Sequence, residues 1–193
     1  TIGSAGQRLI SQEPGELREH RRRARVDDLM LDHPEITAKI NDLHATFLEP
    51  SAGEGAFLTE LLKRKLKVAA KQSKTASAFN THALVALSTL YGIEYLEDNV
   101  EMLVMNMMMT FTQTHSRITV DDFDGRVNDH VLKSAQVIIR ANMAQGDTLK
   151  GVTDTGTLIV FSEWQTVAGQ PSKVRRTEYT FESILNQSGP TGT

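Results

Sequence analysis

The stretch ATFLEPSAGEGAFLTELLKRKL, residues 45–66, decides how this chain folds. Thr46, Phe47 and Leu48 read as the end of a short buried strand. Phe57 and Leu61, with Leu58, Leu62 and Leu66 one step round, recur at helical spacing. The residues between them therefore form a strand-to-helix turn. Gly53 and Gly55 permit positive φ there and let a ligand reach the main chain without a Cβ in the way, and the helix start behind them presents free N–H groups. Glu49 stands just before the turn and would repel a phosphate, and no Gly-Lys-Ser/Thr follows to make a phosphate loop. A cationic or hydroxyl-bearing ligand suits the stretch better. Taken alone, the glycines serve any tight strand-helix connection equally well.

Outward from the turn, residues 63–84 hold the rest of that helix and an inserted loop or second helix, with Lys63, Arg64, Lys65 and Lys67 projecting as a cationic surface. Upstream, Val26, Leu29, Met30, Ile36 and Ile40 suggest two short helices broken at His33-Pro34. Arg18, Arg21, Arg22, Arg23 and Arg25 form a basic cluster, which reads either as a phosphate contact or as a solvated helix face. Residues 1–16, rich in Gly, Ser, Gln and Pro, read as a mobile tail.

Downstream, Ala86, Leu87, Leu90, Tyr91 and Ile93 make a buried strand ending in Glu94. A helix follows with Leu96, Val100, Leu103, Val104, Met107, Met108 and Phe111 on one face. Its methionines at 102, 105, 107, 108 and 109 are expected to be adaptable core packing. The next helix is capped by Asn128 or Asp129 and turns Val131, Leu132, Ala135, Ile138 and Ile139 inward, before an extended piece ending in Gly146-Asp147. Leu158 to Phe161 reads as a strand that ends in Ser162-Glu163-Trp164, with Tyr179 and Phe181 in its hairpin partner. The pattern predicts a three-layer α/β domain with strands near 45–49, 86–94, 143–147 and 157–164. Residues 1–25 form a basic N-terminal segment, 26–164 the domain, and 165–193 a hairpin strand and tail.

The 193 residues carry a formal charge of −3 and no cysteine, which excludes disulfides and thiolate metal sites and gives no overall basic field. No apolar run approaches the roughly 20 residues of a membrane span, and the N-terminus lacks a signal peptide's apolar core, so the expected setting is cytoplasmic.

The string Glu49-Pro50-Ser51-Ala52-Gly53-Glu54-Gly55-Ala56-Phe57 resembles the first motif of the amino-methylating, adenine-specific DNA methyltransferases of restriction-modification systems. The resemblance implies a Rossmann-like methyltransferase fold, incomplete here, and S-adenosyl-L-methionine as cofactor. The glycine turn would lie against its methionine part, with Glu49 near the amino group; Pro50, Ser51, Ala52, Gly53, Gly55 and Phe57 complete this part of the site. Gly92-Ile93-Glu94 is similar to the family's second motif and makes Glu94 the acceptor for ribose hydroxyls. Gly146-Asp147-Thr148-Leu149 is similar to the third. Asp147 would then accept from the cofactor's exocyclic amine, with Thr148 and Leu149 beside the ring; without the family, Asp147 reads equally as an Asx-turn residue.

The resemblance covers roughly residues 26–150 and has departures. The family's Asp/Asn/Ser-Pro-Pro-aromatic tetrapeptide, which holds the flipped base, is missing: the five prolines, at 14, 34, 50, 171 and 190, are isolated. Its Phe-x-Thr-Pro segment is replaced by arginines between about Gly15 and Asp32. No catalytic residue is therefore assigned. DNA, contacted through regions outside this chain, and a specificity or restriction subunit are the implied partners. A degenerate module that binds cofactor or a protein is the alternative, and methylation of RNA or protein a weaker one.

Overall fold

A computed structural model describes residues 29–167, 170–186 and 188–191; Val26 and the Arg18–Arg25 cluster lie outside them. Three short parallel strands, β1 (Phe47–Glu49), β2 (Leu90–Glu94) and β3 (Met143–Gln145), form a sheet in the order β1-β2-β3. Helix α1 (Pro34–Asn41) precedes β1. Helices α2 (Ala56–Lys71) and α3 (Ala76–Ser88) connect β1 to β2, and α4 (Glu97–Asp121) and α5 (Asp129–Asn142) connect β2 to β3. Beyond β3, an antiparallel pair, β4 (Val160–Val167) and β5 (Gln170–Thr180), leads into α6 (Phe181–Asn186). The chain is mixed α/β.

Side chains alternating along β2 separate two cores. Leu90 joins Leu58, Leu62, Ala83, Leu87, Leu103, Met107, Ile139 and Met143 in the larger core, built by the helices. Ile93, with Tyr91 beside it, packs on Ile159, Phe161 and Phe181 in the smaller one, under the hairpin. The outer layer on that face is thus a hairpin and one short helix rather than the helices expected there.

Local chemistry explains the helix limits. Thr75 Oγ1 accepts from the Ala78 N–H at 3.2 Å to start α3, and Asn128, rather than Asp129, accepts from the His130 N–H at 2.9 Å to start α5. Helix α4 ends with Asp124 at φ +46° and the Gly125 N–H bonded to Thr119 O at 2.9 Å, a left-handed stop of the kind glycine usually makes.

Several expectations shift. The strand at 86–94 begins only at Leu90, because Ala86 and Leu87 finish α3; a short apolar run does not distinguish helix from strand. The strand at 143–147 stops at Gln145. Strand β4 begins at Val160, so Leu158 is outside it and Ser162-Glu163-Trp164 lies inside rather than at its end; Tyr179 is in β5, but Phe181 opens α6. Ahead of α1 the buried residue is Leu31, while Leu29 and Met30 are exposed. Lys65 does not project with Lys63 and Lys67: it is fully buried, donating to Ala45 O at 2.8 Å and Asp42 O at 3.2 Å. On α4, Met107 is buried and Met108 packs on the core, but Met102, Met105 and Met109 are exposed and Leu96 caps the helix in solvent. A 25-residue helix offers the core one stripe, and 102, 105 and 109 lie off it.

Candidate functional site

Parallel pairing gathers the carboxyl ends of all three strands at one edge. Glu49 lies opposite Gly92 and Glu94 opposite Gln145. The segments leaving the strands are then tied together: the Ala52 N–H donates to Ile93 O at 2.9 Å, the Gly146 N–H to Glu94 O at 2.9 Å, and Thr148 Oγ1 to Pro50 O at 2.6 Å. Glu49, Pro50, Ser51, Ala52, Gly53, Gly55, Glu94, Asp147, Thr148 and Leu149 therefore share this edge. Phe57 stands apart, in the first turn of α2, half-buried against the helical core.

Both turn glycines have positive φ, +54° at Gly53 and +90° at Gly55. Their reasons differ. A Cβ built on Gly53 meets nothing within 4 Å, so this glycine opens bare main chain to solvent. A Cβ on Gly55 would come within 2.5 Å of Leu103 Cδ1, so this glycine lets α2 pack on α4.

The turn's N–H groups are largely engaged within the chain. Ser51 N donates to Glu49 Oε1 at 3.2 Å, Gly53 N to Glu94 Oε2 at 2.8 Å, and Gly55 N to Ala52 O at 2.9 Å. Glu49 Oε2 and Asp147 Oδ2 keep acceptor capacity at the edge, which suits a cationic or hydroxyl-bearing ligand better than a phosphate.

Glu94 is the keystone of the edge and is almost fully buried. Oε1 accepts from Leu96 N at 3.0 Å and Asn99 Nδ2 at 3.3 Å, while Oε2 accepts from Gly53 N. Burial pushes its pKa up, but the bonds from Leu96, Gly53 and Asn99 outweigh that and hold it below the ordinary carboxylate value. The Tyr95 N–H adds to the same effect, so the carboxylate is surrounded by donors from this chain. Asp147 closes an Asx turn on Leu149 N at 3.0 Å and pairs with Lys150 Nζ at 3.1 Å, which draws its pKa down. Both readings of Asp147 are thus compatible with its geometry: the Asx turn uses Oδ1, and Oδ2 keeps one acceptor position beside Lys150.

Sequence reasoning did not anticipate Asn99, Lys150, or Asn106, whose Nδ2 donates to Glu54 O at 2.9 Å and pins the turn to α4. Nor did it single out Tyr95, and it placed Leu96 on the face of the following helix that turns inward. With Leu149 they place exposed apolar surface at the acid edge, being 65%, 56% and 99% exposed. The order acid, aromatic, aliphatic just past β2 was the available signal. Two cavities, of about 460 and 300 Å³, lie away from this edge.

The chain matches no family model, no curated protein and no solved structure. Among the described residues no group of three or more His, Cys, Asp or Glu could hold a metal ion, and no helix is long and apolar enough to cross a membrane.

Proposed function

We propose that the chain is the S-adenosyl-L-methionine-binding part of an adenine-specific DNA methyltransferase with a Rossmann-like domain. The observation that carries this reading is the meeting, at one carboxyl-side edge, of three segments identified independently by their motifs, with Glu49 and Glu94 closing β1 and β2 and Asp147 two residues past β3. That edge is where open parallel sheets take their ligands. The cofactor fits in chemistry: the open side of Gly53 admits it, the carboxylate of Glu49 suits a sulfonium and an ammonium, and exposed Tyr95, Leu96 and Leu149 suit an adenine face.

In this reading Glu49 holds the amino group, since its Oε2 has no partner among the described residues; Glu94 takes a ribose hydroxyl; and Asp147 Oδ2 takes the exocyclic amine. The cofactor supplies an already activated methyl group. The chain's part is alignment, and its rigid ties across the edge suit that part. DNA and a specificity or restriction subunit are the proposed partners, in a cytoplasmic setting.

A second reading, a module that binds cofactor without transferring methyl, is favoured by the missing Pro-Pro-aromatic tetrapeptide: no two prolines are adjacent in the 193 residues. A tritium-transfer assay on unmethylated DNA separates the two. Labelled DNA supports the enzyme; cofactor binding without label supports the module; absence of cofactor binding overturns both.

A further inference from the structure

We propose that the cavity between the C-terminal halves of α2 and α4 binds a small phosphomonoester, a ligand unrelated to the acid edge. The cavity measures about 460 Å³, and Lys67, Lys71, Arg117, Asp122, Ile118 and Phe123 are among the residues on its walls. That size suits a nucleotide-sized molecule.

Its charges are unlike those of the rest of α2. Toward the start of the helix, Lys63 pairs with Glu60 at 3.5 Å, and Arg64 pairs with Asp32 at 2.6 Å and Glu60 at 3.2 Å. Lys67 and Lys71, four residues apart on one helix face, have no ion pair among the described residues, and neither does Arg117 facing them from α4. Like charges at this spacing repel, so the arrangement costs stability unless an anion joins them. Three cations stand against Asp122 and the negative ends of two helices, each worth about half a charge, leaving roughly one positive charge in excess. Compensating a helix end explains Lys71, in the last turn of α2. It does not explain Lys67 or Arg117, which precede the last turns and lie beyond the reach of that effect.

Lys67, Lys71 and Arg117, all exposed, line one cavity from two helices; such donors suit a dianionic phosphate, with Arg117 able to make a paired contact. Phe123, held by stacking on Phe79 at 5.4 Å, and Ile118 supply an apolar wall for the organic part of the ligand. An apolar wall beside the cations suits the organic part of a small molecule better than a DNA backbone. The 16 residues of α2 span about 24 Å, so this ligand sits far from the edge where methyl transfer is proposed. The inference therefore stands or falls separately from that reading.

The test is calorimetric titration of the full chain with adenosine 5′-monophosphate, inorganic phosphate and a short DNA duplex at low salt. Lys67→Gln and Arg117→Gln are the variants, Lys63→Gln the control, and thermal melts establish that each is folded. The expected result is that the nucleotide binds more tightly than inorganic phosphate. Each cavity substitution should weaken it about tenfold, the loss of one charged contact, with Lys63→Gln unchanged. The proposal is overturned if the nucleotide fails to bind, if its affinity survives the double substitution, or if only the duplex binds.

Discussion

Helices α2 and α4 run side by side between two ends of opposite character. At the end where they begin, acceptors and donors are engaged with one another: the Glu94 carboxylate with the Gly53 and Leu96 N–H groups and the Asn99 amide, the Glu49 carboxylate with Ser51 N–H, and the Glu54 carbonyl with the Asn106 amide. At the end where they finish, Lys67, Lys71 and Arg117 line a cavity with no ion pair among the described residues. The difference teaches that a rigid site and an unsatisfied one have different signatures. The first end is held by bonds that fix geometry and leave a few acceptor positions open; the second is held by packing, with its charges left over.

The largest effect should come from replacing the glycine that only packs. Gly55→Val forces a side chain into Leu103 at φ +90°, and should cost more than about 3 kcal/mol and prevent cooperative folding, read by urea unfolding. Stability that survives within 1 kcal/mol of wild type, at roughly the scale of a tolerated core swap, would sink this account of Gly55.

Lys65 shows what an engaged cation does. Burial lowers its pKa from 10.5 to about 8. The unfolded chain keeps that proton up to 10.5 while the folded chain gives it up near 8, so the unfolded state binds more protons across this window and stability should rise with pH through it. The rise amounts to about 3 kcal/mol. Lys65→Met should flatten it, which urea midpoints measured across the window would reveal; an unchanged slope would assign the effect elsewhere.

At the acid edge, Glu94→Gln should cost about 1–3 kcal/mol by weakening the bonds to Gly53 and Leu96. Because the carboxylate's pKa is lowered on folding, its contribution is present above the ordinary value of 4.5 and is lost as pH falls through the lowered one. The substitution should therefore also blunt acid denaturation. At the opposite end, Asp124→Gly should stabilise by about 0.5–1 kcal/mol, since glycine occupies φ +46° without strain, and a small rise in melting temperature would show it.

The glycine turn and the ends of β1 and β2 were legible because each carried a local pattern, a periodicity change at Gly53 and an acid closing an apolar run at Glu94; the Gly-Asp step at 147 marked the third segment, although its strand stops at Gln145. Other features depend on chain partners distant in sequence. Whether Lys65 projects or is buried rests on the carbonyls of Asp42 and Ala45, and the duty of Gly55 on Leu103. The start of β2 misled because Ala86 and Leu87 suit a buried helix end as well as a strand. The hairpin replaced the expected outer helices because Tyr91 and Ile93 cover their face with Phe161 and Ile159, a pairing that no local spacing announces.

The most direct measurement is equilibrium titration with S-adenosyl-L-methionine of wild type and Gly53→Val, each first shown to melt cooperatively. The open side of Gly53 predicts that the variant folds, at a cost of about 1–2 kcal/mol for its left-handed backbone, yet loses cofactor affinity by far more than tenfold. Affinity within about threefold of wild type, a difference of under 1 kcal/mol, would contradict the claim that the cofactor lies over this turn.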